Sequence, residues 1–116
     1  MALSGNFDEE TNYLQMQGAK ESEDGGLEII NVRVFVEDGL GTYSMYAIND
    51  EFTGYEKYSS LSCTYYYDQG NLGTVRITYL NTTKNIISGI FKMKLINPDC
   101  YVEEMIISEG RFDFAY

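Results

Sequence analysis

A chain of 116 residues is long enough for one domain that buries about two-thirds of its unfolded surface. Its formal net charge of −10, with eight basic residues scattered along the sequence, excludes nucleic acid and anionic membranes as expected partners. The lack of histidine excludes Ser-His-Asp and Cys-His catalysis within one chain and removes the commonest metal ligand.

The start of the chain is acidic and has little apolar material. We interpret residues 1–12 as a flexible leader that precedes a single all-β domain over residues 13–116. The leader has neither the basic nor the apolar region of a signal peptide, so none is expected in this chain. No apolar run approaches the ~20 residues that cross a bilayer, so no transmembrane segment is expected.

Alternation of apolar and polar residues predicts the first two strands of the domain, over residues 12–19 and 27–36. The second strand also carries apolar residues on its other face, which predicts partial cover on both sides. The apolar residues that share the buried face in each strand are Leu14 and Met16, then Ile30, Val32, Val34 and Val36.

Turn signals divide the middle of the chain. Glu37-Asp38-Gly39 favours a tight hairpin, which predicts residues 41–48 as the partner strand of residues 27–36. Residues 49–60 are the least regular stretch and have room for one helical turn. Alternation resumes in residues 61–67 and 74–80, which predicts two more strands, the second with Val75, Ile77 and Tyr79 on one face.

The last third of the chain predicts two long strands folded back on each other across Asn97-Pro98-Asp99. Phe91, Met93 and Leu95 share one face of the first strand, where Gly89 is typical of a close approach by a neighbouring chain. Glu109-Gly110 indicates a bulge or tight turn in the return strand. About eight strands with short connections predict an antiparallel meander, closed either as a sandwich or as a barrel.

Few residues offer catalytic or metal-binding chemistry. Adjacent carboxylates on a strand point to opposite faces, so the tandem pairs do not form a glycosidase dyad by themselves. Acidic loops at residues 21–24 and 68–71 lack the spacing of a calcium loop, and no metal or cofactor is expected. Cys63 and Cys100 permit one disulfide, although two reduced thiols are favoured. The carboxylates considered for hydrolysis are Asp50, Glu51, Glu103, Glu104 and Asp113.

The chain is unusually rich in tyrosine, with eleven residues. Tyr55 and Tyr58 fall in the irregular stretch, and Tyr66 falls on the outer face of a predicted strand. Exposed rings at these positions would stack on sugars or fill a partner's pocket. Packing of the rings against neighbouring strands is the commoner role of such tyrosines.

The segment Ile86-Ile87-Ser88-Gly89-Ile90-Phe91 and the later Ile106-Ile107-Ser108-Glu109-Gly110-Arg111-Phe112-Asp113 carry a family resemblance. Together they resemble the C-terminal signature of small Bacteroidetes lipoproteins of unknown function, over residues 27–116. Ile90 stands where that family usually has Thr, and the family's first strand does not appear in this chain. The resemblance implies an exported all-β domain of the cell envelope, with no assigned activity.

These observations lead us to expect a non-catalytic, exported binding domain whose partner is an unknown protein or glycan. The alternatives are an up-and-down β-barrel that carries a small apolar ligand and, last, a carboxylate-based glycoside hydrolase. If the family's first strand is missing, the sheet edge near Leu14 or Ile30 should be bare, and self-association through that edge is expected.

Overall fold

The structure, a computed structural model, describes residues 3–21, 26–45, 54–58, 63–67, 72–97 and 104–116. Within these ranges the chain forms nine strands and no helix, which confirms the predicted all-β fold. The strands are β1 (Ser4–Asp8), β2 (Tyr13–Glu21), β3 (Leu27–Phe35), β4 (Gly41–Ser44), β5 (Gly54–Tyr58), β6 (Cys63–Tyr67), β7 (Gly73–Asn81), β8 (Ile86–Ile96) and β9 (Glu104–Ala115).

The strands build a sandwich of two antiparallel sheets. The first sheet contains β1, β2 and β3, and the second contains β4, β7, β8 and β9. The β5–β6 pair connects the two sheets, because β5 pairs with β3 and β6 pairs with the end of β8. An isolated bridge between Val34 and Met45 connects them a second time. Among the described residues no ladder joins β1 to β9, so the strands form a sandwich and not a closed barrel.

One hydrophobic core fills the space between the sheets. Seven of its side chains have no exposed surface, and they come from both layers. The predicted shared face of Phe91, Met93 and Leu95 is confirmed, since these residues are only 0–4% exposed. The seven fully covered residues are Leu14, Val32, Val34, Val75, Ile87, Met93 and Leu95.

The start of the chain differs from the flexible leader expected over residues 1–12. Ser4–Asp8 form β1, and Leu3 and Phe7 belong to the buried core. The carboxylate of Asp8 accepts hydrogen bonds from the backbone N–H groups of Glu10 (2.9 Å) and Thr11 (3.4 Å), which fixes the turn into β2. Burial of the two apolar residues therefore outweighs the acidic composition on which the prediction depended.

β4 follows the predicted turn but takes a different partner from the one expected. Residues 41–44 pair with β7, and among the described residues of the predicted strand only Met45 returns to β3, whereas residues 46–48 lie outside the described ranges. The hydroxyl of Tyr43 accepts a hydrogen bond from the N–H of Asp38 (3.0 Å) and donates one to the carbonyl of Gly39 (2.9 Å). These bonds attach β4 to the turn through which the chain passes from the first sheet to the second.

Two further expectations about the sheet edges and the irregular stretch are wrong. The edge near Leu14 is covered by Phe7 of β1, and Ile30 lies between β2 and β5. The stretch 49–60, expected to be an irregular connection with room for one helical turn, contributes strand β5 (Gly54–Tyr58), and its other residues lie outside the described ranges. Pairing with strands on both sides supplies the order that its local sequence does not show.

A bulge in β7 reverses the predicted orientation of its last residues. The register shifts between Ile77 and Tyr79, opposite Gly89 and Ser88. As a result Tyr79 is 47% exposed, while Leu80 packs against the core in its place. The bulge expected at Glu109-Gly110 is confirmed, because β9 has one extra residue between Ile107 and Gly110 relative to β8.

Two reciprocal glycine–phenylalanine pairs join β8 to β9. Gly89 lies opposite Phe112, and Phe91 lies opposite Gly110. A Cβ atom on Gly110 would overlap the ring of Phe91, and one on Gly89 would overlap the ring of Phe112 and the carbonyl oxygen of Arg76. Each ring therefore lies over the backbone of the facing glycine, in space that any other residue would occupy.

We predict that Gly110→Ala lowers the free energy of unfolding by about 1–3 kcal/mol, because the Phe91 ring must leave its position. Adding Phe91→Leu removes the ring, so the double variant should lose less than the sum of the two single losses. Urea unfolding of all four proteins measures this difference.

Gly39→Ala is the control, because its φ of +68° strains an alanine although its Cβ would meet no other atom within 4 Å. It should cost about 1 kcal/mol, and Phe91→Leu should not change that cost. Strictly additive losses for Gly110→Ala and Phe91→Leu would show that the ring does not depend on the glycine.

Candidate functional site

The outer face of the first sheet carries three rows of mostly uncharged polar residues, and we call these nine residues the amide face. Their neighbours in sequence point into the core, so alternation along each strand turns these side chains outward. The register of β1, β2 and β3 aligns them across the sheet. The rows are Asp8–Tyr13–Phe35, Asn6–Gln15–Arg33 and Ser4–Gln17–Asn31.

Two adjoining grooves run along the amide face. The larger has a volume of about 570 Å³ and extends across all three strands, from Ser4 to Arg33. The smaller, of about 270 Å³, lies towards the β1–β2 turn and includes Thr11 and Tyr13. Asn6 and Gln15 line both grooves, so together they form one continuous concave surface.

The chemistry of the amide face is hydrogen bonding without net charge. Its four amide groups each offer two donors and one acceptor oxygen, and Arg33 adds a positively charged guanidinium group. Asp8 and Arg33 are the two charged members, so the formal charge of the nine residues is zero in a chain of net charge −10. Such a surface suits an uncharged ligand that both donates and accepts hydrogen bonds.

An aromatic pair closes one end of the amide face. The rings of Tyr13 and Phe35 meet edge to face, with centroids 5.1 Å apart and an interplanar angle of 76°. Both residues are half-buried, and this contact restricts their rotamers. Tyr13, which lines the smaller groove, therefore provides an apolar wall beside the polar floor of that groove, and Phe35 packs against it.

The three tyrosines predicted as contacts lie in β5 and β6, and their side chains fall outside what the structure describes. Backbone register separates them. Tyr66 pairs with Gly54, which pairs with Asn31, so Tyr66 extends the row that contains Ser4 and Gln17. Tyr55 belongs instead to the row of Ile30 and Tyr65, whose side chains pack on the core side, and Tyr58 pairs with Leu27.

The other predicted site residues are dispersed or lie outside the described residues. The Glu104 carboxylate is 3.1 Å from the Lys94 ammonium, and the Asp113 carboxylate accepts a hydrogen bond of 2.6 Å from Ser88. Within the described ranges no three His, Cys, Asp or Glu side chains meet as metal ligands. Several residues predicted as candidates lie outside those ranges: Asp50, Glu51, Glu103, Cys100, the Cys63 side chain and residues 22–24 and 68–71.

Tyr116 connects the end of β9 to the turn that borders the amide face. Its hydroxyl donates a hydrogen bond of 2.7 Å to the Glu9 carboxylate, and its ring meets Phe7 edge to face at 5.3 Å. Its backbone N–H also donates to the carbonyl of Asn85. Desolvation, together with the bond to Glu9 and the charge of that carboxylate, raises the pKa of Tyr116 to about 12.

Comparison with protein-family models, with curated proteins and with solved structures finds no match to this chain. The described residues contain no helix with the length and hydrophobicity that a membrane crossing requires. The evidence for the candidate site therefore comes from the geometry of the fold alone.

Sequence reasoning selected aromatic residues and missed the amide rows. The signal was present, because Gln15 and Gln17 are two apart, as are Asn31 and Arg33. Each pair by itself is ordinary for the outer face of a strand. Only the register of β1, β2 and β3 shows that the polar residues adjoin one another.

We predict that Tyr116→Phe lowers the free energy of unfolding by about 0.5–1 kcal/mol near neutral pH, because the bond to the exposed Glu9 is lost. The folded pKa is raised above the ordinary value, so this stabilisation is present below pH 10 and is lost as pH rises through about 12. The stability difference between wild type and variant should therefore shrink over that range.

Urea unfolding at a series of pH values measures this difference, and Glu9→Gln serves as the control that keeps both rings. In that control the pKa of Tyr116, followed by tyrosinate absorbance, should fall towards its ordinary value. A difference between wild type and Tyr116→Phe that stays constant across the alkaline range would contradict the assignment.

Proposed function

We propose that this protein is a non-catalytic binding domain whose amide face binds a neutral glycan. Sugar hydroxyls donate and accept hydrogen bonds at the same oxygen, and the side chains of Gln15, Gln17 and Asn31 offer both kinds of group along one groove. This polar groove, whose formal charges cancel, is the observation that carries the proposal. Strands hold the groups in place, which reduces the ordering cost on binding.

The aromatic end of the groove supports the same ligand class. The apolar faces of sugar rings pack against aromatic side chains, and Tyr13 with Phe35 supplies such a surface next to polar groups. The register of Tyr66 with Asn31 extends the site towards β6. Tyr66 therefore remains the most favoured of the three predicted tyrosine contacts.

The alternatives receive less support. A carrier of a small apolar ligand needs a cavity in the core, whereas the seven fully covered side chains pack together between the sheets. A hydrolase needs two carboxylates about 5–10 Å apart, and Asp8 is the one carboxylate among the described residues that line the two grooves. A protein partner would favour aromatic anchors at the centre of the face, where amides lie instead.

The resemblance to envelope lipoproteins supports export, and glycans are exposed in that compartment. Export and glycan binding are separate parts of this proposal. The binding part is tested on the purified protein, without any assumption about where it is located.

We predict that a screen of neutral oligosaccharides yields a ligand, and that Gln15→Ala with Gln17→Ala weakens its binding about tenfold. The estimate assumes two lost hydrogen bonds of roughly 0.5–1.5 kcal/mol each. Both side chains are exposed, so the stability of the fold should change by less than about 0.5 kcal/mol. Calorimetric titration measures the affinity.

Thr82→Ala with Thr83→Ala is the matched control, because both residues are exposed in the β7–β8 turn, outside the grooves. The control should bind as tightly as wild type. Failure of every neutral glycan to bind, or equal affinity of the glutamine variant and wild type, would overturn the proposal.

A further inference from the structure

The outer face of the second sheet gathers four of the eight basic residues of this acidic chain. Arg76 of β7, Ile90 of β8 and Arg111 of β9 form one cross-strand row, with an arginine on each side of the isoleucine. Lys92 and Lys94 follow Ile90 at alternate positions of β8, so they share its face. We call the four basic residues the basic face.

The basic residues are scattered in the sequence, and the fold brings them together. Arg76, Lys92 and Arg111 are exposed, and Lys94 is half-buried. Lys94 has Glu104 as its ion-pair partner, whereas Arg76, Lys92 and Arg111 form no ion pair with other described residues. Three cations are thus available on one rigid surface of a molecule that carries ten net negative charges.

The spacing of the basic face is set by the sheet. Adjacent strands lie about 4.8 Å apart, so the backbones of Arg76 and Arg111 are roughly 10 Å apart across Ile90. Along β8, Lys92 lies about 7 Å from the row that contains Ile90, and Lys94 lies about 7 Å beyond Lys92. A ligand with repeated negative charges matches such a pattern, because several contacts form at once.

Hydroxyl groups border these cations. Thr42 continues the row of Arg76, and Thr74 lies opposite Lys92. On the other side a groove of about 450 Å³ runs from Thr78 to Asp113 and includes Arg111. The surface therefore offers charge-assisted donors together with neutral hydroxyl groups.

We propose that the basic face binds an acidic polysaccharide. The guanidinium groups of Arg76 and Arg111 bind carboxylate or sulfate groups through paired hydrogen bonds, and the threonines bind the sugar hydroxyls. Nucleic acid is disfavoured, because the described row Thr42–Arg76–Ile90–Arg111 contains no aromatic ring on which a base could stack. An acidic protein is disfavoured, because the row centres on an isoleucine and not on an aromatic anchor.

This site is independent of the proposed neutral-glycan groove. The two faces lie on opposite sheets of the sandwich, share no residue and bind by different chemistry. If one face fails to bind its proposed ligand, the proposal for the other face is unaffected. The variants of each face serve as controls for the other.

The test is binding of polygalacturonate and dextran sulfate to the full chain, with uncharged dextran as the neutral comparison. We expect both polyanions to bind at low salt and to release as salt rises. Arg76→Gln and Arg111→Gln should each weaken binding about threefold to tenfold, and the double variant at least as much as either. Lys84→Gln is the matched control, because it removes one exposed charge in the β7–β8 turn outside the basic face.

Lys84→Gln and the double glutamine-to-alanine variant of the amide face should bind the polyanions like wild type. The proposal is overturned if neither polyanion binds, if Lys84→Gln weakens binding as much as the arginine variants, or if dextran binds equally well. Tighter binding of single-stranded DNA or of polyglutamate than of the polysaccharides would overturn it in favour of another class of partner. Unchanged urea midpoints show that each variant is folded.

Discussion

The structure depends on the two glycine–phenylalanine pairs that pack β8 against β9. Each glycine leaves room for the ring opposite it, so each phenylalanine ring lies over the facing glycine, and both phenylalanines are only 4% exposed. The rings enter the core from the second sheet and face the side chains that β2 and β3 contribute. A larger residue at Gly89 would also press on the carbonyl of Arg76, so the same constraint extends to β7. The packing of β8 and β9, the two longest described strands, thus requires glycine at positions 89 and 110.

The sequence predicts this part of the fold well because its determinants are local. Alternation from Phe91 to Leu95 specifies the buried face, and Glu109-Gly110 indicates the bulge. The pairing of β4 with β7, and the contact of Tyr43 with the preceding turn, are not revealed by any periodicity. β1 was missed because two apolar residues gain their burial from strands far along the chain, including Tyr116 against Phe7. Local patterns specify which face of a strand is buried, whereas long-range packing selects the partners.

The same distinction explains what the sequence says about function. Alternation shows which residues of each strand face outward. Which of these residues are neighbours on the surface depends on the register of the strands. Register collects amides on the first sheet and cations on the second, although neither group is contiguous in the sequence. The sandwich therefore separates a polar surface of zero formal charge from a basic one in a strongly acidic chain. The proposed binding of neutral and acidic glycans follows from that separation.

Native-state hydrogen exchange tests the central claim most directly, because it ranks the stability of each strand in the intact protein. If the glycine–phenylalanine pairs hold the fold together, the slowest amides should lie in β8 and β9 around Gly89, Phe91, Gly110 and Phe112. These amides should exchange only through global unfolding, while those of the edge strand β1 exchange through smaller openings. Slower exchange in β1 and β2 than in β8 and β9 would show that the fold is organised around the first sheet and would contradict this account.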